Sequence, residues 1–209
     1  LEDNRIGGMW ETRHIDVAWI SSLGMKWVRT TSDGQGKWQE ADWSKEEYSI
    51  DPKDNGIITE LAENGVKVMY NFGLWTPLEE YNYDRFKTEK EIQQYLNYVR
   101  FIVHHFKGYI EYYEIWNEPD GPNGGTSGWH IKLDDYLNLV KRAVPIIRQE
   151  DPNAKIVVGA TSYMREPHAF NYLMGILRSD IIPLVDAVSW HPMYGTSPEY
   201  GDQIEYYYN

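Results

Sequence analysis

The chain has 209 residues with 20 Lys+Arg against 32 Asp+Glu, no cysteine and 42% hydrophobic residues, enough apolar side chain for one domain-sized core and too much for a disordered tail. A formal charge of −12 repels polyanions before local contacts form, which excludes a surface that tracks nucleic acid. No apolar run approaches the roughly 20 residues of a membrane-spanning helix, and the lack of thiols excludes disulfides, Cys-ligated zinc, iron–sulfur clusters and a Cys nucleophile.

Short β-type runs alternate with longer helical patterns along the whole chain, a βαβα order. Strands are predicted at 5–10, 26–31, 66–72, 110–117, 155–160 and 185–191. Several are near-continuous apolar runs, as parallel strands covered on both faces require. Short helices are predicted at 15–23 and 57–62; Gly24 and Gly65, each just before a strand, suit left-handed helix ends. Ile92, Tyr95, Leu96, Val99, Val103 and Phe106 form the stripe of a third helix, with Thr88 and Glu91 in a capping-box pattern at its start. Tyr136, Leu137, Val140, Val144 and Ile147 form a fourth stripe, interrupted by Pro145, where a kink or a re-formed helix is expected.

The connections that follow strands are the long ones, 32–55 and 120–134, and the returns from helix to strand are short. A (β/α) barrel elaborates the loops after its strand ends because they build its active face. The expected fold is therefore an α/β TIM barrel. A doubly wound open sheet alternates similarly, but 34–38 lacks the spacing and the Ser/Thr of a P-loop, and 121–128 lacks the dinucleotide glycines. The 15% aromatic content, with 9 Trp and 17 Tyr, exceeds what a core of this size takes, so many rings are expected at a surface.

The fourth predicted strand runs into Glu114-Ile115-Trp116-Asn117-Glu118-Pro119-Asp120. Pro119 cannot donate to a ladder, so pairing should stop there and leave Glu118 at the C-terminal rim, where a barrel exposes its reactive groups. Beside Trp116 and other aromatics its carboxylate should be partly desolvated, which favours the protonated form a general acid needs. Glu118 is the expected proton donor.

Trp116-Asn117-Glu118-Pro119 at a strand end resembles the clan A retaining glycoside hydrolases, (β/α)8 enzymes whose fourth strand ends in Asn-Glu-Pro with that Glu as acid/base. The likeness extends to Arg29 on the second strand and to His191 and Tyr194 after the sixth, and its flavour is that of the family 39 β-xylosidase-like enzymes. It implies a double displacement on a β-linked neutral glycan or glycoside: a second carboxylate attacks the anomeric carbon while Glu118 protonates the departing oxygen, then Glu118 deprotonates water. Asn117 would contact the neighbouring sugar hydroxyl, and Arg29 would keep the nucleophile ionised. His191 and Tyr194 would orient nucleophile or substrate. Trp10, Trp75, Trp129 and Trp190, at strand ends or in following loops, are candidate sugar platforms, each also readable as core packing.

In this clan the nucleophile is a Glu ending the seventh strand, and no such position precedes Asn209. Residues 1–209 are thus expected to be one barrel domain truncated after its sixth strand, with the nucleophile beyond Asn209. Glu199 and Glu205 are weak substitutes. Completion by another polypeptide or by self-association is the alternative, as is a non-hydrolytic carbohydrate-binding protein. Glu114 reads as an interior polar residue. His104 and His105 flank an apolar stripe and suit packing or surface roles, and 51–56 fails as a calcium loop because Lys53 occupies a ligand position. No metal or organic cofactor is expected; the partner is a carbohydrate, with no nucleic acid and no membrane.

Overall fold

The computed structural model describes residues 7–10, 12–30, 48–73, 84–121, 130–162 and 167–191. Among them six parallel strands pair in chain order: β1 (Gly7–Met9), β2 (Trp27–Thr30), β3 (Lys67–Asn71), β4 (Tyr112–Glu114), β5 (Lys155–Thr161) and β6 (Ala187–Trp190). Helices α1 (Val17–Ser22), α2 (Pro52–Glu63), α3 (Glu89–His105), α4 (Leu133–Glu150) and α5 (Pro167–Leu177) join them. The sheet curls into a half-barrel, an incomplete TIM barrel of the predicted class, with β1 and β6 at its edges. None of the described helices is long and apolar enough to cross a membrane.

Local chemistry accounts for the helix ends. Asp51 caps α2 by accepting from Lys53 N–H at 2.8 Å, and Pro52 supplies a preset first turn, so the helix begins well before the predicted 57–62. The polar stretch 51–56 hid that start. Thr88 caps α3 from the side chain, accepting from Glu91 N–H at 3.2 Å, but the Glu91 carboxylate reaches past Thr88 to Phe86 N–H at 2.7 Å and pairs with Arg85. The capping box is therefore half formed. Gly24 (φ +68°) and Gly65 (φ +71°) close α1 and α2 in the expected left-handed geometry. Pro145 does not end α4, which runs through it; Pro145 and Lys141 are exposed, so the carbonyl deprived of its partner meets water. The helix α5 was not in the sequence-based prediction, although Pro167 opens it and Ala169, Tyr172, Leu173 and Ile176 follow at helical spacing as its buried face.

The core lies between the sheet and the helices, where Val28, Val68, Tyr70 and Tyr113 meet Leu61, Val99, Ile102 and Tyr136, all essentially without solvent exposure. The concave face is different. By register Arg29 lies level with Met69 and Tyr112, and Asn71 with Glu114 and Val157, so polar and charged groups concentrate inside the curl near the C-terminal strand ends.

Candidate active site

Hydrogen bonding between β4 and β5 continues past the regular strand. Ile115 N–H donates to Val157 O at 2.9 Å and Glu118 N–H to Ala160 O at 2.9 Å; Pro119, which has no N–H, follows. Pairing thus ends where the sequence predicted. Between these bonds the backbone leaves extended geometry: Trp116 (φ +68°) and Glu118 (φ +52°) are left-handed, as are Gly159 (φ +109°) and Ala160 (φ +43°) opposite. Bulky residues hold such angles only where neighbours over-determine them, and such positions cluster at functional sites. Tyr136 braces this turn from α4. Its hydroxyl donates to Ile115 O and accepts from Gly159 N–H, both at 2.9 Å, and burial pushes its phenol well up, so it stays neutral and serves both bonds.

Glu118 is buried, with 2% of its surface exposed, and its Oε1 lies 3.1 Å from His191 Nδ1 at the end of β6. Two acceptors cannot face each other at that distance, so one proton sits between them: the imidazole donates to a carboxylate, or a protonated carboxyl donates to the imidazole. His191 is fixed in turn by its backbone N–H, which donates to Thr161 O at 2.8 Å. Trp116 contributes differently from expectation. Its indole packs against Phe86 and Tyr95 at centroid distances of 5.1 and 5.9 Å and under the Arg85 guanidinium, which anchors the segment to α3 and its approach.

Below Glu118 lies a buried polar network centred on Glu114. Its Oε2 accepts from Arg29 Nε at 2.7 Å and from Asn71 Nδ2 at 2.7 Å, with Arg29 Nη2 in ion-pair contact at 2.5 Å, while Oε1 accepts from Ser189 Oγ at 2.7 Å. Arg29 Nη2 also donates to Asn117 Oδ1 at 2.8 Å, and Asn71 Nδ2 to Trp116 O at 2.7 Å. Strands β2, β3, β4 and β6 thereby meet on one carboxylate, and the side chain of Asn117 is oriented from beneath. Glu114 is the interior polar residue foreseen from the sequence. Arg29, expected beside a nucleophile, gives its donors to Glu114, Asn117 and Met9 Sδ.

Among the sequence candidates, the structure brings Glu118, Asn117, Arg29 and His191 together. Trp190 follows Ser189 with an exposed ring. Trp10 is turned aside: its indole covers Gly8, where an added Cβ would come within 2.0 Å of the ring, and meets Trp19 of α1 edge-on at 6.1 Å, the packing role rather than the platform role. Trp75, Trp129, Tyr194, Glu199 and Glu205 lie outside the described residues. Sequence reading passed over Asn71 and Ser189. Each is a polar residue near the C-terminal end of a predicted strand, and that position was the available signal. No group of three or more His, Asp or Glu able to hold a metal ion occurs among the described residues.

The profile of the family described as cellulase (glycosyl hydrolase family 5) matches residues 16–183. Endoglucanase A of Evansella cellulosilytica is 23% identical over 168 residues, covering 74% of this chain and 32% of that protein, so the chain spans about a third of that relative's length. Among solved structures, a family 39 glycoside hydrolase from the gut symbiont Bacteroides cellulosilyticus WH2 superposes with a TM-score of 0.68 at 19% identity over 89% of this chain and 38% of that one. A family 10 endoxylanase retrieved from sugarcane soil metagenome gives 0.65 at 15% identity over 98% and 62%. At such identities the likeness is one of fold, and the match that assigns a family is to family 5 rather than family 39. A barrel sheet ending in Asn-Glu-Pro at the fourth strand, joined to a profile match over most of its length, places the chain in glycosyl hydrolase family 5, within glycoside hydrolase clan A.

Proposed function

We propose that the protein carrying this chain is a retaining glycoside hydrolase that cleaves β-glycosidic bonds of a neutral glycan or glycoside, with Glu118 as general acid and then general base. The observation that carries the reading is the buried Glu118 carboxyl group just beyond β4, with its Oε1 3.1 Å from His191 Nδ1. A general acid needs a side chain that cannot swing away, and the His191 contact and the left-handed turn at Glu118 hold this one in place. Asn117, held by Arg29, is poised for the hydroxyl next to the reacting carbon, where contacts strengthen in the oxocarbenium-like transition state.

Double displacement requires a second carboxylate about 5–5.5 Å from the first. Glu114 is committed to Arg29, Asn71 and Ser189, so the proposal gives the nucleophile to a Glu of a seventh strand that completes the barrel. The net charge of −12 favours a neutral substrate.

Hydrolysis of aryl β-glucosides, aryl β-xylosides and cello- and xylo-oligosaccharides by the full-length protein, with the first-formed anomer followed by NMR, tests this reading. A β-anomer formed first supports retention, and an α-anomer formed first contradicts it. Sugar binding without turnover contradicts hydrolysis and supports a carbohydrate-binding role.

A further inference from the structure

We infer that Asp120 is a positioning residue for Glu118, holding the acid/base in register with His191 through Ser162. The inference rests on the glycosidase reading of the same site.

The backbone from Trp116 to Glu118 is left-handed at two bulky residues, so it needs fastening on both sides. On the N-terminal side, Asn71 Nδ2 donates to Trp116 O at 2.7 Å. Beyond Glu118, Pro119 O accepts from Ile131 N–H at 2.8 Å, and the next fastening is the side chain of Asp120. Its carboxylate is buried, with 3% of the residue exposed, and both oxygens are taken by one residue: Oδ1 accepts from Ser162 N–H at 2.8 Å and Oδ2 from Ser162 Oγ at 2.7 Å.

Residues 160–162 thereby act as a template. Ala160 O accepts from the Glu118 backbone N–H, Thr161 O accepts from the His191 backbone N–H, and Ser162 donates its N–H and hydroxyl to the Asp120 carboxylate. Three consecutive residues at the end of β5 thus fix the acid/base, its proton partner and the segment just beyond the acid/base. Burying a carboxylate costs free energy unless its oxygens are satisfied, and here Ser162 satisfies them. The His168 imidazole of α5 holds its Nε2 3.8 Å from Oδ2, beyond hydrogen-bond reach. Asp120 is therefore not offered to a sugar, and its effect on chemistry runs through the placement of Glu118.

The test compares full-length parental protein with Asp120→Ala, Asp120→Asn, Ser162→Ala and Glu118→Ala on two aryl β-glycosides, one with a dinitrophenolate leaving group that needs no proton and one with an unactivated phenolate. A displacement of the acid by about 1 Å is enough to cost roughly 10²-fold, so Asp120→Ala is expected to lose about that in kcat/KM on the unactivated substrate and only a few-fold on the activated one. Asp120→Asn keeps an acceptor for Ser162 N–H and can donate to its hydroxyl, so it recovers most of the loss. Ser162→Ala removes one of the two bonds and shows a smaller loss with the same leaving-group dependence, which keeps the inference testable where Asp120→Ala folds poorly.

Equal losses on both substrates, or no loss on the unactivated one, overturn the inference while the Glu118→Ala result upholds the functional reading. A parental protein without hydrolysis overturns both.

Discussion

Removing Glu114 strands a buried charge, and the cost can be worked from the geometry. In Glu114→Ala the Arg29 guanidinium loses its anionic partner at 2.5–2.7 Å, and Asn71 and Ser189 each lose an acceptor. Breaking a buried pair by deleting one member costs about 3–5 kcal/mol. The Arg29 side chain is 17% exposed, so water offsets part of this and the lower end, about 3 kcal/mol, is expected. For a domain of this size each kcal/mol lowers the melting temperature by about 2–4 °C, which gives a drop of about 6–12 °C. Thermal unfolding of the full-length protein by circular dichroism reads it. The double variant Arg29→Met/Glu114→Leu removes both charges and is expected to melt closer to the parent than Glu114→Ala does, because an apolar pair leaves no uncompensated ion. A melting temperature for Glu114→Ala within about 1 °C of the parent, or a double variant whose loss equals the sum of the singles, would refute the coupled-pair reasoning.

Three further outcomes follow from the turn and its surroundings. Gly159→Ala places a Cβ 2.3 Å from Ser189 O at φ +109°, so the β5–β6 pairing must shift; a loss of more than about 1–3 kcal/mol in urea unfolding is expected, and unchanged stability contradicts it. Tyr136→Phe orphans Ile115 C=O and Gly159 N–H, at about 1–3 kcal/mol for each buried group, and should lower stability by about 2–6 kcal/mol by the same measurement. The His130 hydrogen bond, with Lys132 beside it, holds the Asp84 carboxyl below its ordinary 3.8. A depressed folded value contributes stability that is present above the unfolded pKa and lost as pH falls through the folded one, so the stability gap between parent and Asp84→Asn should be full above the ordinary carboxylate range and close only as pH falls below it. A gap independent of pH contradicts that linkage.

The alternation of strands and helices was legible because it rests on short-range physics: apolar runs bounded by Gly24 and Gly65, and stripes such as Ile92 to Phe106 at helical spacing. The start of α2 was hidden because its signal is the single pair Asp51-Pro52 ahead of a polar turn. The helix α5 was hidden because its stripe is short. At the site, Pro119 announced where hydrogen bonding to β5 would stop, beyond the regular end of β4 at Glu114, and that placed Glu118.

The partners of Glu118 and Glu114 are separated from them by about one to several β/α units of chain. Ser189 meets Glu114 only because curling brings β6 across the inside of the sheet, and no local pattern encodes that contact. The same holds for Asp120, which looks like an ordinary loop acid until Ser162 is seen beneath it.

The most direct measurement of the central claim is the leaving-group dependence of Glu118→Ala relative to the parental enzyme. If Glu118 delivers the proton, kcat/KM on a β-glycoside with an unactivated leaving group falls by about 10²–10⁴-fold, while cleavage of the dinitrophenyl glycoside is nearly preserved in the glycosylation step. Parental turnover of the unactivated substrate by Glu118→Ala would contradict the assignment.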